Sequence, residues 1–136
     1  MLPHRQTNLV VSAIILLAAT LLSGYPLEAA RPLALRVLSY NIHHGEGVDG
    51  KLDLERIARV ILSVKPDLVA LQEVDRNTTR TEKVDQPAVL ARLTGMQVLF
   101  EQNIAVQEGS YGNAILSRYP IKSHRNHSMP QHENGE

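Results

Sequence analysis

The sequence predicts an α/β fold in which two parallel strands lie side by side, and three observations carry that expectation. Two apolar runs, residues 34–42 and 68–71, are rich in Leu, Val, Ile and Ala without a helical period, the pattern of strands covered on both faces. Between them Leu54, Ile57, Ala58, Ile61 and Leu62 recur at helical spacing and make one apolar stripe. Each run ends in polar side chains, Asn41 after the first and Gln72-Glu73 after the second. Strand, helix, strand in so short a stretch is a βαβ unit, whose strands are parallel and adjacent. Parallel strands end at one sheet edge, where α/β proteins bind their ligands, so topology alone brings Asn41 and Glu73 together.

Taken in order, residues 1–30 read as a targeting segment. Arg5 lies in a short polar start, residues 9–22 are apolar apart from Ser12 and Thr20, and Ser23, Gly24 and Pro26 break the run. The run falls short of the roughly 18 residues of a spanning helix. A secretory signal cleaved after Ala29 or Ala30 fits this order, although Leu27 and Glu28 are not the small residues preferred ahead of the cut; an uncleaved N-terminal anchor is the alternative. The expected location is secreted or periplasmic, or membrane-anchored at the N-terminus.

Residues 31–136 make up the domain. After the first strand, the glycine-rich stretch from His43 to Gly50 is a loop. Asp53 caps the first helix, with Glu55 in its opening turn. Pro66 stops that helix and pushes Lys65 out of the helical region. Residues 75–85 form a polar loop carrying Arg76, Arg80 and Lys83. Asp85 caps a short second helix, Pro87 is tolerated in its first turn, and Thr94-Gly95 ends it. Strands are expected over residues 96–100, 104–107 and 113–117, with a turn at 108–112 and a further strand starting at 121–123.

A chain of 136 residues allows one domain at most. The absence of cysteine excludes disulfides and thiolate zinc sites. Fourteen basic residues balance fourteen acidic ones, which argues against a protein that coats nucleic acid. It does not argue against an enzyme acting on one phosphodiester at a time. An amide beside a carboxylate begins a magnesium site suited to phosphate-ester chemistry, which makes Asn41 and Glu73 the leading candidates. Arg76 and Arg80 could grip a phosphate. His43 is a candidate substrate contact. Adjacent histidines on extended backbone point to opposite sides, so His43 and His44 are not expected to share a transition metal. His124, His127 and His132 fall in a polar tail where Asn126, Pro130 and Gly135 oppose the helix needed to group them around zinc.

Three segments carry a resemblance: Ser39-Tyr40-Asn41-Ile42, Pro66-Asp67-Leu68-Val69-Ala70-Leu71-Gln72-Glu73-Val74 and Tyr111-Gly112-Asn113-Ala114-Ile115-Leu116-Ser117-Arg118-Tyr119-Pro120-Ile121. In this order and spacing they resemble the endonuclease/exonuclease/phosphatase superfamily. The resemblance implies a four-layer α/β sandwich of the DNase I-like type, of which this chain would be the N-terminal portion. It also implies metal-dependent cleavage of a phosphate ester. Glu73 matches the glutamate that binds the divalent metal, Mg²⁺ or Mn²⁺. Asn41 matches the asparagine that helps hold the metal or the scissile phosphate. The segment from Tyr111 matches a mainly structural strand, and Asn113 receives no catalytic role. The later half of the family domain carries an Asp-x-Asn segment and an Asp-His pair, and neither follows Ile121 here.

The resulting expectation is the N-terminal part of an exported phosphodiesterase, inactive on its own. Its substrate would be a phosphate ester, with lipid headgroups such as sphingomyelin or glycolipid phosphodiesters fitting the export signal and neutral charge. A nuclease is the enzymatic alternative, and a non-catalytic exported binding module of the same fold is the alternative from another class. No stable protein partner is expected.

Overall fold

The computed structural model describes residues 33–127. Four strands form one mixed sheet: β1 (Val37–Asn41), β2 (Leu68–Arg76), β3 (Gln97–Val106) and β4 (Gly109–Ser117), in the spatial order β1-β2-β4-β3. β1 and β2 are parallel, with Val37 opposite Leu68 and Asn41 opposite Gln72. The βαβ expectation therefore holds, and the register places Asn41 one residue short of Glu73. β2–β4 and β4–β3 are antiparallel.

Helix α1 (Leu54–Val64) starts where Asp53 accepts a hydrogen bond from the Arg56 amide at 2.8 Å. It ends at Lys65, whose left-handed backbone (φ 52°, ψ 53°) closes the last turn before Pro66. Helix α2 (Gln86–Thr94) starts on Asp85, which accepts from the Ala88 amide at 3.0 Å, and ends at Gly95 with φ 68°. Ile57 and Ile61 of α1 and Leu90 of α2 join Val69, Leu71, Val74, Ala114 and Leu116 of the sheet in one buried core. Full burial of an aliphatic side chain of this size stabilises by about 1.5–3 kcal/mol.

Several expectations need correcting. β1 is an edge strand within the described residues, and Val37 stays 61% exposed, so this strand is not covered on both faces. The loop after it holds a 3₁₀ turn at His43–Gly45. β2 runs on to Arg76, which places that arginine on a strand instead of a loop, and a second 3₁₀ turn follows at Thr79–Thr81. The two strands expected over 96–107 are one, β3, interrupted by a register shift between Gln102 and Ile104. The turn before β4 is only Gln107-Glu108, both with positive φ, the two-residue hairpin geometry. No strand forms at 121–123; residues up to His127 are irregular. The targeting segment and His132 lie outside the described residues. No helix among the described residues is long and apolar enough to cross a membrane.

Candidate functional site

The site is built on a fault in β2. Val69 and Leu71 point into the core by strand alternation, and residue 73 would be next in phase. Between Leu71 and Val74 the β2–β4 register shifts, so Gln72 and Glu73 together face Asn113. The extra residue is a β-bulge, with Glu73 in the left-handed region at φ 59°. Val74 takes the buried position and the glutamate is spared it. A non-glycine residue held there costs about 1–3 kcal/mol, a cost that bulges next to functional sites commonly carry.

Asn41 ends the neighbouring strand, and its Nδ2 donates to Glu73 Oε1 at 2.7 Å. The pairing inferred from topology is thus realised as direct contact. Asn41 Oδ1 accepts from the backbone N–H of His43 at 2.9 Å. Both partners dictate the same amide orientation: a carboxylate needs a donor, and a backbone N–H needs an acceptor. In this arrangement Asn41 aims Glu73, and its amide oxygen, engaged by one N–H, keeps a second lone pair for a cation. Glu73 Oε2 takes no hydrogen bond among the described residues, which leaves one carboxylate oxygen for a hard divalent ion.

The histidines overturn the expectation that they point apart. His43 and His44 have φ of 46° and 43°. Two successive left-handed residues curl the chain, and the ring centroids lie 4.4 Å apart. One ligand atom from each of His43, His44 and Glu73 lies within 4.8 Å of the others. The turn is pinned from below by Gln86, which is buried. Its Nε2 donates to the His44 carbonyl at 2.7 Å, and its Oε1 accepts from the Asp75 N–H at 3.0 Å. Gly45 is required at φ 87°, and a Cβ there would press on Gln86 and Leu54.

Arg80 is the other arginine of interest. Its Nε and Nη2 donate to the two oxygens of Asp75 at 2.7 and 2.8 Å. Asp75 is fully buried and also accepts from the Thr78 hydroxyl at 2.6 Å. Burial pushes its carboxyl up, but the Arg80 and Thr78 bonds outweigh that and hold it below the ordinary carboxylate range. The bond to Asp75 in turn raises Arg80. Arg80 also lies over the Tyr111 ring, 5.4 Å from its centroid. Burial and then the Glu73 charge push the Tyr111 hydroxyl up, which places that phenol within the field of the site.

The structure therefore brings together Asn41, Glu73 and His43, and sets Arg80 beside them already committed to a buried carboxylate. It does not bring in Arg76, whose guanidinium stacks on Phe100 at 4.5 Å. His124 pairs with Glu101 at 3.1 Å and is not part of the group formed by His43, His44 and Glu73. One Asp-x-Asn triplet does occur, at Asp75-Arg76-Asn77. It directly follows the glutamate segment, and its aspartate is sealed by Arg80, so it cannot stand in for the later one. Gln86 and Tyr111 escaped the sequence reading. Gln86 sits four residues before Leu90 on the core-facing stripe of α2, a polar residue at an apolar phase, which is a legible signal. Tyr111 depends on its antiparallel pairing with Asp75, which no local pattern reveals.

The profile of the Endonuclease/Exonuclease/phosphatase family matches residues 38–136. The chain belongs to this family. Its members are hydrolases acting on phosphate esters. The uncharacterized protein YbhP of Escherichia coli (strain K12) is 26% identical over 110 residues, covering 75% of this chain and 44% of YbhP. YbhP of Shigella flexneri matches to the same extent. An endonuclease/exonuclease/phosphatase from Beutenbergia cavernae DSM 12333 is similar in structure, with a TM-score of 0.53 and 30% identity over 66% of this chain and 27% of that one. A family protein from Leptotrichia buccalis C-1013-b gives a TM-score of 0.51 at 20% identity, over 66% of this chain and 40% of that one, and shows the fold. The four-stranded sheet and its two helices are thus a part of the DNase I-like family fold. The chain spans less than half the length of the curated relatives it matches.

Proposed function

We propose that this chain carries the metal-binding edge of an exported, divalent-metal-dependent phosphodiesterase. The observation that carries the reading is the 2.7 Å contact between Asn41 Nδ2 and Glu73 Oε1 where two parallel strands end. Glu73 would hold Mg²⁺ or Mn²⁺ through its second oxygen, and the donor chemistry of a carboxylate suits a hard ion. When bound, such an ion polarises a non-bridging phosphoryl oxygen and steadies the leaving oxygen. Asn41 keeps the carboxylate aimed by holding its other oxygen. His43, exposed beside Glu73, would contact substrate. Arg80 acts through Asp75, by fixing the end of β2 that carries Glu73.

The neutral charge balance and the apolar segment at 9–22 support a phosphodiester presented outside the cytoplasm, with a lipid headgroup favoured over nucleic acid. The resemblance assigns activation of the attacking water to a later Asp-x-Asn segment, which does not follow Ile121, so the 136-residue chain is proposed to bind the ion without turnover. Hydrolysis of bis(p-nitrophenyl) phosphate tests both parts. A chain joining these residues to a later half of the family domain should turn over only with Mg²⁺ or Mn²⁺, and Glu73→Gln should lower the rate at least 100-fold. The 136 residues alone should stay at background. Metal-independent hydrolysis, or full activity in Glu73→Gln, would refute the reading.

A further inference from the structure

We propose that His43, His44 and Glu73 form a three-ligand site for a borderline transition cation of the Zn²⁺ class, which displaces Mg²⁺ from the same edge. The inference rests on the reading that Glu73 binds Mg²⁺ or Mn²⁺, and adds that a zinc-class ion competes with that ion for the same carboxylate. On extended chain these neighbours would diverge, but paired left-handed residues turn both rings toward the carboxylate. The ligand atoms lie within 4.8 Å of one another, and bonds of about 2.0–2.1 Å would draw a tetrahedral set to roughly 3.3 Å, a side-chain rotation and not a refolding.

The surrounding bonds fit ligation. His44 Nε2 lies 3.3 Å from Glu46 Oε2, so a carboxylate outside the three-ligand set is within reach to orient the ring. The His44 carbonyl is held by buried Gln86, and the His43 N–H by Asn41, so both ligand residues are anchored through their backbones. Glu73 keeps Oε2 free while Asn41 holds Oε1. Two imidazoles and one carboxylate make a nitrogen-rich set. Such a set favours zinc and other later transition ions over magnesium, which prefers oxygen and keeps its waters.

Competition against a chromophoric chelator, with the 136-residue chain and Zn²⁺ or Mg²⁺ as the probe, decides the matter. A variant with His124, His127 and His132 changed to Ala serves as the background, which removes the tail as a source of zinc binding. Zn²⁺ should bind at least 100-fold tighter than Mg²⁺. His43→Gln and His44→Gln should each weaken Zn²⁺ at least tenfold and leave Mg²⁺ within twofold, whereas Glu73→Gln should weaken both. Co²⁺ substitution supplies a second readout, since its visible bands should change in each histidine variant. Metal-free thermal melts confirm that the variants fold. Unchanged zinc affinity in both histidine variants, with Glu73→Gln still weakened, would overturn the inference and leave the phosphodiesterase reading standing. Unchanged affinity for both ions in Glu73→Gln would overturn that reading and the inference together.

Discussion

Arg80→Met is the most informative perturbation of the scaffold behind the site. Asp75 has no exposed side-chain surface, while the Arg80 side chain is 32% exposed. Removing the guanidinium deletes two charge-assisted bonds and leaves a buried carboxylate with the Thr78 hydroxyl as its remaining side-chain donor. Breaking a buried pair from one side costs about 3–5 kcal/mol. Because water reaches one flank of Arg80, the low end applies, about 3 kcal/mol. For a domain near 100 residues that corresponds to a fall in Tm of roughly 10–20 °C. The assay is thermal and urea unfolding of Arg80→Met beside Arg56→Met. Arg56 makes an equally bidentate contact with Asp49, at 3.1 Å for each bond, but both partners are exposed. Arg56→Met should shift Tm far less. Asp75→Asn combined with Arg80→Met should cost less than the sum of the single changes, since the uncompensated charge is gone. Equal losses from the two arginine variants would refute the reasoning and return Arg80 to a purely surface role.

The remaining predictions concern other joints of the same scaffold. Gln86→Ala strands the buried Asp75 N–H and the His44 carbonyl, and should cost roughly 2–4 kcal/mol in urea unfolding. Gly112→Ala would drive a Cβ into the Glu101 carbonyl across the β3–β4 ladder, and should abolish the cooperative melt, whereas Gly95→Ala, with open space around it, should be milder. Asp75 has a lowered folded pKa, so its contribution is present above the unfolded carboxylate value and is lost as pH falls through the folded one. Stability should therefore be flat from neutral pH down to about pH 4 and decline below it, and Arg80→Met should flatten that decline.

What the sequence revealed follows from what is local. The α1 stripe, the Asp53 and Asp85 caps and the Pro66 stop are short-range patterns, and each stands in the structure as read. The meeting of Asn41 and Glu73 was legible because parallel strands admit one arrangement of their ends. The misreadings arose where conformation departs from the default for its residue type. His43, His44 and Glu73 are non-glycine residues in the left-handed region, and strand alternation misplaces all of them. Gln107 and Glu108 likewise adopt the hairpin turn without the Asn-Gly signature that would have announced it. Arg80 looked like a free cation because its partner, Asp75, is read as a loop residue until the bulge carries β2 past it.

The measurement that bears most directly on the account is a Mn²⁺ titration of the 136-residue chain followed by NMR line broadening. The account predicts that the amides of Asn41 to Gly45 and of Glu73 to Val74 broaden first, and that Glu73→Gln removes the effect. Broadening that spares this strand edge, or that survives intact in Glu73→Gln, would contradict it.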